Sequence, residues 1–245
     1  MKIEEIYDIL NSVSPFSLQE EWDKSGISVG MSGDIDCIYL GLDIGLQDVK
    51  NAPDNTLFIT HHPLIFKGIY DFKNDAYPKD ILRHMICHNQ GLISMHTNFD
   101  KTHLNEYFAT KVLGFEILKK EDFLVYCKVD YSFDDFVFYI KKCLGVDFIK
   151  CVKNSNQVKK IAICTGSGSE LAKNLDFDTD YFLTGDIKYH FAFECKENNI
   201  GLIDINHFES ERYFGEILLP ILKNNLQNFS KRIIILDYKN PFLTL

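Results

Sequence analysis

The stretch LFITHHP at residues 57–63 joins a short apolar run to two adjacent histidines. A run of this length and character is typical of a buried strand, and the proline ends it. Similar strands are predicted over 37–42 and 91–95, with helices over 47–52 and 81–88. Because strands and helices alternate, this part of the chain is predicted to have an α/β fold.

The flanking residues continue the pattern. Apolar residues recur at helical spacing over 3–13, and a short strand is predicted over 27–29. Thr102 is a residue type favoured as a helix N-cap, so a helix is predicted from there to Leu113, with Gly114 ending it. The first half of the chain is therefore predicted to contain the alternating strands and helices of one α/β unit.

The second half repeats these elements in the same order. Strands are predicted over 161–164, 181–184 and 199–203, and the last of them begins Asn-x-Gly, as does the segment 89–91. Divergent duplication explains this similarity, although chance similarity among α/β strands is the alternative. Duplication predicts two related α/β lobes whose strand ends share one cleft, since open α/β sheets bind ligands there.

The predicted domain boundaries follow from this repeat. The first lobe is expected to span 1–122 and to be completed by a C-terminal strand within 231–245, and the second lobe to span 123–230. The prediction is of two lobes with no inserted middle domain between them.

Composition and charge exclude several classes of protein. Hydrophobic residues make up 46% and charged residues 25%, as in an ordinary globular protein with a sizeable core. The net charge is −9, whereas proteins that bind nucleic acid through phosphate contacts need clustered Lys and Arg. A nucleic-acid partner is therefore not expected.

The cysteines and the hydropathy pattern indicate the cellular compartment of the protein. Seven cysteines occur without a CxxC pair, which favours a reducing environment over a disulfide framework. The N-terminus has no apolar signal segment, and no run of about 18 apolar residues could cross a membrane. We expect a cytoplasmic protein with no membrane partner.

Histidines and carboxylates follow the predicted strands of both halves. Imidazole and carboxylate donors without a thiolate suit Zn, Fe, Mn, Co or Ni. The candidate donors at these strand ends are His61, His62, His96, Asp100, His207 and Glu211. His207 and Glu211 are four residues apart, so a helix there would project both from one face.

Each of these features also has an ordinary structural interpretation. A His-His pair in a loop is often a surface feature, and a lone tryptophan such as Trp22 is more often a core residue. His84 and His88 lie on a helix that leads away from the strand ends, which favours a structural role. The turn at 166–169, Gly-Ser-Gly-Ser, resembles a phosphate-binding loop but lacks its lysine, so a tight strand-to-helix turn is equally plausible.

Five motifs together resemble the Nif-three-like family, whose members are often labelled GTP cyclohydrolase I type 2 homologs. The motifs occur in the family's order and extend over nearly the whole chain. They are EWD at 21–23, THHPL at 60–64, HTNFD at 96–100, TGDIKYH at 184–190 and DINHFESE at 204–211.

The resemblance implies a dinuclear metal site in a cleft between two α/β lobes. It implies that His61 and Asp100 bind the first ion, that His62 and His207 bind the second, and that Glu211 bridges both. His96 and His190 are the expected catalytic residues, acting as proton shuttles. Trp22, Asp23, Lys188 and His190 would line the pocket.

The implied activity is hydrolysis of GTP to formate and dihydroneopterin triphosphate by a homo-oligomer, a hexameric ring. Two divalent ions, two carboxylates and one hydroxide leave a charge of about +1, which favours an anionic substrate. Two alternatives remain: a metallohydrolase of another nucleotide, phosphoester or cyclic amide, and a non-catalytic metal-binding assembly or regulatory protein.

The sequence departs from the family pattern at three places. Family members usually have Asn at the position of Lys24, Gly at the position of Asn206, and Gly-Gly in place of Thr102-His103. None of these residues is a presumed ligand. The departures therefore bear on the shape of the pocket and on the substrate.

Overall fold

The computed structural model describes residues 1–74, 76–227 and 229–243. The chain forms two compact units, Met1–Phe99 with Phe214–Leu245, and Asp100–Tyr213. Each unit contains one mixed β-sheet with helices packed against it. The predicted α/β fold class is confirmed.

The first sheet, among the described residues, has five strands in the order β1-β4-β3-β2-β11. They are β1 (Gly26–Val29), β2 (Cys37–Gly41), β3 (Thr56–Thr60), β4 (Gly91–Ser94) and β11 (Arg232–Ile235). β2, β3, β4 and β11 run parallel, and β1 pairs antiparallel with β4. Every residue of β3 and β4 is buried, as expected for central strands covered on both faces.

The helices of the first unit cover this sheet. They are α1 (Ile3–Val13), α2 (Leu46–Asn51), α3 (Lys79–Cys87), α4 (Thr97–Phe99) and α9 (Phe214–Asn225), with a 3₁₀ turn at Phe16–Leu18. The helix predicted over 3–13 is confirmed as α1, whose apolar stripe is buried. On one sheet face, Val49 of α2 and Met85 of α3 pack in the same core cluster as Phe58 and Leu92.

The second sheet has the order β5-β6-β8-β9-β10-β7 within the described part of the chain. Its strands are β5 (Glu116–Glu121), β6 (Leu124–Ser132), β7 (Lys150–Val152), β8 (Gln157–Ile163), β9 (Tyr181–Thr184) and β10 (Gly201–Asp204). The helices are α5 (Asn105–Tyr107), α6 (Phe133–Leu144), α7 (Tyr189–Glu197) and α8 (His207–Glu211), together with π-helical turns at Asp100–Leu104 and Phe108–Val112 and a 3₁₀ turn at Ser169–Asn174.

This second sheet is covered on both faces. This sheet has one hydrophobic core on each face, because successive side chains of a strand point to opposite faces. Ile161, Leu183 and Ile203 pack in one core with α6, whereas Phe182 and Leu202 pack in the other with α7.

The predicted repeat is visible in the topology. The strands β1-β4-β3-β2 and β7-β10-β9-β8 have the same order and relative directions in the two sheets. Asn89 and Asn199 end the equivalent helices with φ of 49° and 56°. Left-handed residues of this kind are common at helix C-termini, so each half uses the same turn into its third parallel strand.

Two boundaries differ from the sequence prediction. The helical segment over 97–112 begins five residues before Thr102, because the Thr97 N–H donates to Asp23 Oδ2 at 3.1 Å from 74 residues away. The units divide at 99/100 and 213/214 rather than at 122/123 and 230/231. The reasons are that β5 pairs with β6 in the second sheet, and that α9 packs on β2 and β11.

Among residues 1–74, 76–227 and 229–243, no helix combines the length and apolar character that a membrane crossing requires.

Candidate metal centre

Three histidines of the first unit lie at the carboxyl ends of its parallel strands. His61 and His62 follow β3, and His96 follows β4. Backbone hydrogen bonds continue past the strand ends, from the His62 N–H to Leu42 O at 3.0 Å and from the Met95 N–H to Thr60 O at 2.8 Å. These bonds fix the main chain that carries the three imidazoles.

The three imidazoles form a compact group, which we call the histidine group (His61, His62 and His96). Ring nitrogens from the three residues lie within 4.8 Å of one another. His61 is fully buried, and the other two are partly exposed. This spacing and residue type suit a transition-metal ion.

Each imidazole in the histidine group is oriented through its Nδ1 atom. His61 Nδ1 lies 2.8 Å from Met95 O, His62 Nδ1 lies 3.0 Å from Asp43 Oδ1, and His96 Nδ1 lies 2.8 Å from Asp23 Oδ1. A backbone carbonyl and an ionised carboxylate only accept hydrogen bonds, so each Nδ1 is the protonated nitrogen. In the neutral ring Nε2 then carries the lone pair, the arrangement typical of a metal-ligating histidine.

Asp23 is the most strongly anchored of these acceptors. It is buried, and it accepts hydrogen bonds from His96 Nδ1, from the Ser25 hydroxyl, and from both the N–H and the hydroxyl of Thr97. Burial alone would raise the pKa of this carboxyl, but hydrogen bonds from His96, Thr97 and Ser25 hold it well below its usual value. Asp23 is therefore ionised and fixes His96.

The second unit carries one imidazole with a carboxylate on the same helix. His207 and Glu211 both lie on α8, and His207 Nε2 is 2.9 Å from Glu211 Oε2. The predicted common face is therefore confirmed. His207 Nδ1 lies 2.7 Å from Asp186 Oδ2, so this ring is oriented like those of the first unit.

Asp100 and Glu211 form a buried pair of carboxylates in the second unit. Carboxylate oxygens from the two residues lie within 4.8 Å of each other, and the residues are only 8% and 3% exposed. Burial raises the pKa of the Cys164 thiol, and the charges of Asp100 and Glu211 raise it further. Two like charges this close and this buried favour a bound cation.

Two glycines make room for these side chains. A Cβ on Gly166, whose φ is 64°, would overlap Glu211 Oε1. A Cβ on Gly185 would lie 2.8 Å from the backbone of Asn206 and His207. The Gly-Ser-Gly-Ser segment thus acts as a tight turn against Glu211, the second of the two interpretations of that motif.

Three further histidines and Trp22, all singled out in the sequence, have the following surroundings. His190, in the first turn of α7, is exposed and meets the Tyr189 ring edge-on at 5.4 Å. His84 and His88 stack on each other with ring centroids 4.1 Å apart, and His88 Nδ1 lies 2.7 Å from Asp54. Trp22 is 54% exposed, so the interpretation of it as a core residue was wrong.

Sequence reasoning missed the acceptors Asp43 and Asp186. Each follows the C-terminal end of a parallel strand by two residues, Asp43 after β2 and Asp186 after β9. That position was the available signal, since the same rule identified the histidines. Their pairing with particular imidazoles depends on which strands are neighbours, which the sequence did not specify.

Comparison with known proteins agrees with this fold. The family model of Duf34/NIF3 (NGG1p interacting factor 3) matches residues 1–241. The chain belongs to the Duf34/NIF3 family. The resemblance inferred from the five motifs is therefore confirmed.

Relatives are similar over almost their entire length. A Campylobacter jejuni protein named GTP cyclohydrolase 1 type 2 homolog is 47% identical, over 99% of each chain. A Helicobacter pylori (strain J99) protein named GTP cyclohydrolase 1 type 2 is 42% identical, over 98% of this chain and 97% of its own. The crystal structure of Staphylococcus aureus hypothetical protein SA1388 has a TM-score of 0.88 at 27% identity, over 100% of this chain and 99% of its own.

Proposed function

We propose that this protein is a dinuclear metal-dependent hydrolase that converts GTP to formate and dihydroneopterin triphosphate. The proposed metal ligands are His61 and Asp100 for one ion, His62 and His207 for the other, and Glu211 for both. The choice of GTP comes from the names of the relatives, and the reaction class comes from the donor set.

One observation carries the proposal: each of the three histidines proposed as ligands, His61, His62 and His207, has its Nδ1 held by an acceptor of its own unit. Outer hydrogen bonds of this kind are a regular feature of metal-ligating histidines, because they fix the tautomer and the ring orientation. The residues present therefore fit the implied metals. The chemistry of the donors suits Fe, Zn, Mn, Co or Ni.

The buried carboxylates support the same proposal. Asp100 and Glu211 bring two negative charges into the interior of the second unit. Divalent ions bound there would offset this charge, lower the pKa of water towards about 7 and polarise the group attacked. An excess of positive charge at the ions favours an anionic substrate such as a nucleotide.

His96 is the residue best suited to move a proton. Asp23 holds its Nδ1 proton, which leaves Nε2 to take up and release the proton required in hydrolysis. The Asp23 carboxylate also stabilises the imidazolium that forms when Nε2 is protonated. His190 is the second proposed proton shuttle.

The test is incubation of metal-reconstituted protein with GTP, measuring formate and, after oxidation, pterin fluorescence. We expect slow release of both products, at a rate that rises as pH increases through about 7. His62→Ala should abolish the activity, whereas His88→Ala, which changes an imidazole outside the histidine group, should leave it intact.

Other products would redirect the function. Phosphate without formate would indicate phosphoester hydrolysis. No product from any nucleotide, in protein that carries two metal ions, would favour a non-catalytic metal-binding protein that acts through protein partners. The hexameric ring stays a prediction, to be measured by light scattering of the same preparation.

A further inference from the structure

Trp22 and Phe66 form a pair of exposed aromatic rings in the first unit, here called the aromatic pair. Their side chains are 54% and 47% exposed, and their ring centroids lie 5.9 Å apart with planes tilted by 52°. Single exposed apolar residues are common and need no explanation, whereas adjacent exposed aromatic rings form a continuous apolar surface that can take part in binding. The metal chemistry proposed above assigns no role to Phe66.

The aromatic pair borders the histidine group. The His96 ring lies 5.9 Å from Trp22 and 6.3 Å from Phe66, and it meets both nearly at right angles. His96 is in turn 5.2 Å from His61 and 5.7 Å from His62, measured between ring centroids. A molecule bound on the aromatic pair would therefore lie beside the imidazoles.

The backbone holds the aromatic pair in place. The Glu20 N–H donates to Thr97 Oγ1 at 3.0 Å, and the buried Asp23 carboxylate accepts from Thr97 as described above. These bonds fix the residues on both sides of Trp22. Phe66 follows Leu64, which is buried in the core that covers the first sheet.

We propose that Trp22 and Phe66 bind the planar ring of the substrate, a purine or a similar flat nitrogen heterocycle, by stacking. Aromatic side chains stack on such rings strongly and with little dependence on the ring's substituents. A sugar phosphate that lacks an aromatic base gains nothing from the pair. This inference rests on the proposed function for the identity of the ring, and it assigns the base, rather than the phosphates, to the first unit.

Intrinsic fluorescence tests the proposal directly, because Trp22 is the only tryptophan in the chain. Guanosine, GTP and ribose 5-phosphate are titrated into the full-length metal-reconstituted protein while Trp22 emission is recorded. We expect saturable quenching by guanosine and GTP and no change with ribose 5-phosphate. Phe66→Ala should raise the Kd for guanosine by roughly 5-fold to 150-fold.

Two further variants control for loss of structure. Phe72→Ala removes a phenylalanine of the same loop with nearly the same exposure, 48%, and should leave the Kd unchanged. Phe66→Tyr keeps the ring and should restore the wild-type Kd. Equal quenching by ribose 5-phosphate, or equal Kd values in Phe66→Ala and Phe72→Ala, would overturn the proposal.

The formate assay on the same samples separates this inference from the proposed function. Guanosine-dependent quenching that Phe66→Ala weakens, without formate release, would support the stacking site and reject the cyclohydrolase activity. Formate release with no Trp22 response and an unchanged KM in Phe66→Ala would support the activity and reject the stacking site.

Discussion

His62 in the first unit and His207 in the second follow parallel strands, and an aspartate that follows the neighbouring strand holds Nδ1 of each. Asp43 and His62 follow the first and second parallel strands of their repeat, whereas Asp186 and His207 follow the second and third. The same kind of Asp–His pair therefore follows different strands in the two repeats.

The chemical surroundings of the two histidines also differ. In the first unit His62 lies among imidazoles, whereas in the second His207 lies beside a carboxylate that is itself close to Asp100. Duplication thus explains the sheet topology but not the donor chemistry. The candidate donors in the two units therefore differ in kind, and the predictions below test that difference.

The largest expected effect is in the first unit, at Asp23. Asp23→Ala removes the acceptor of several buried donors and should lower the free energy of unfolding by about 3 kcal/mol, measured by urea denaturation. Asp54→Ala is the control, because the Asp54–His88 pair is exposed and should contribute less than about 1 kcal/mol. Equal losses of unfolding free energy in Asp23→Ala and Asp54→Ala would show that the buried hydrogen bonds of Asp23 contribute no more than the exposed pair.

The pKa of Asp23 gives this prediction a pH dependence. The unfolded carboxyl has a pKa of about 3.9, and the folded pKa lies lower. The ionised form therefore stabilises the protein above about pH 4, and this contribution is lost as pH falls through the folded pKa. Wild type should lose more stability than Asp23→Ala between neutral and acidic pH.

The next effect is in the second unit, at Gly166. Gly166→Ala forces a Cβ against Glu211 and should cost about 2 to 3 kcal/mol by urea denaturation, with loss of bound metal. Gly33 also has positive φ but has no atom within 4 Å of its Cβ position, so Gly33→Ala tests the backbone cost alone, about 1 kcal/mol. Similar costs in both variants would contradict the crowding at Glu211.

The two aspartates should have similar effects in the two units. Asp43→Ala and Asp186→Ala should each weaken metal binding about tenfold, the lower end of the range for outer hydrogen bonds, because both carboxylates are exposed. Competition with a chelating dye would measure the affinities, with Asp54→Ala as the unchanged reference. Weaker metal binding in only one of the two variants would show that the two Asp–His pairs are not equivalent.

The smallest effect is at Asn206, immediately before His207. Its φ of 58° and ψ of 150° lie in a region that essentially only glycine adopts without strain. Asn206→Gly should therefore raise the free energy of unfolding by about 1 kcal/mol. A loss of stability would show that the Asn206 side chain has a role of its own.

Much of the fold could be predicted because local signals agreed with the tertiary structure. Apolar runs such as LFIT became central strands, and the helix over 3–13 ended where predicted, at the residue before Ser14-Pro15. The start of the helical segment at Thr97 could not be predicted, because its acceptor, Asp23, is distant in the sequence. The exposure of Trp22 could not be predicted for the same reason, since a hydrogen bond from the Glu20 N–H to Thr97 Oγ1 fixes the segment that carries Trp22.

The residue types of the candidate site could be predicted from the sequence, but the aspartates that orient its histidines could not. Strand ends identified the histidines, whereas Asp43 and Asp186 required knowledge of which strands are adjacent. Glu209, on the same helix as Glu211, is buried, so it is no control for Glu211. Glu197, exposed at the end of α7, is the suitable control.

Metal stoichiometry tests the central claim most directly. Elemental analysis of metal-reconstituted wild type, Glu211→Gln and Glu197→Gln should give two ions per chain in wild type and Glu197→Gln. Glu211→Gln, which keeps the shape of the side chain and removes its charge, should lose metal while the circular dichroism spectrum stays unchanged. Wild type without bound metal, or Glu211→Gln that retains two ions, would contradict the account.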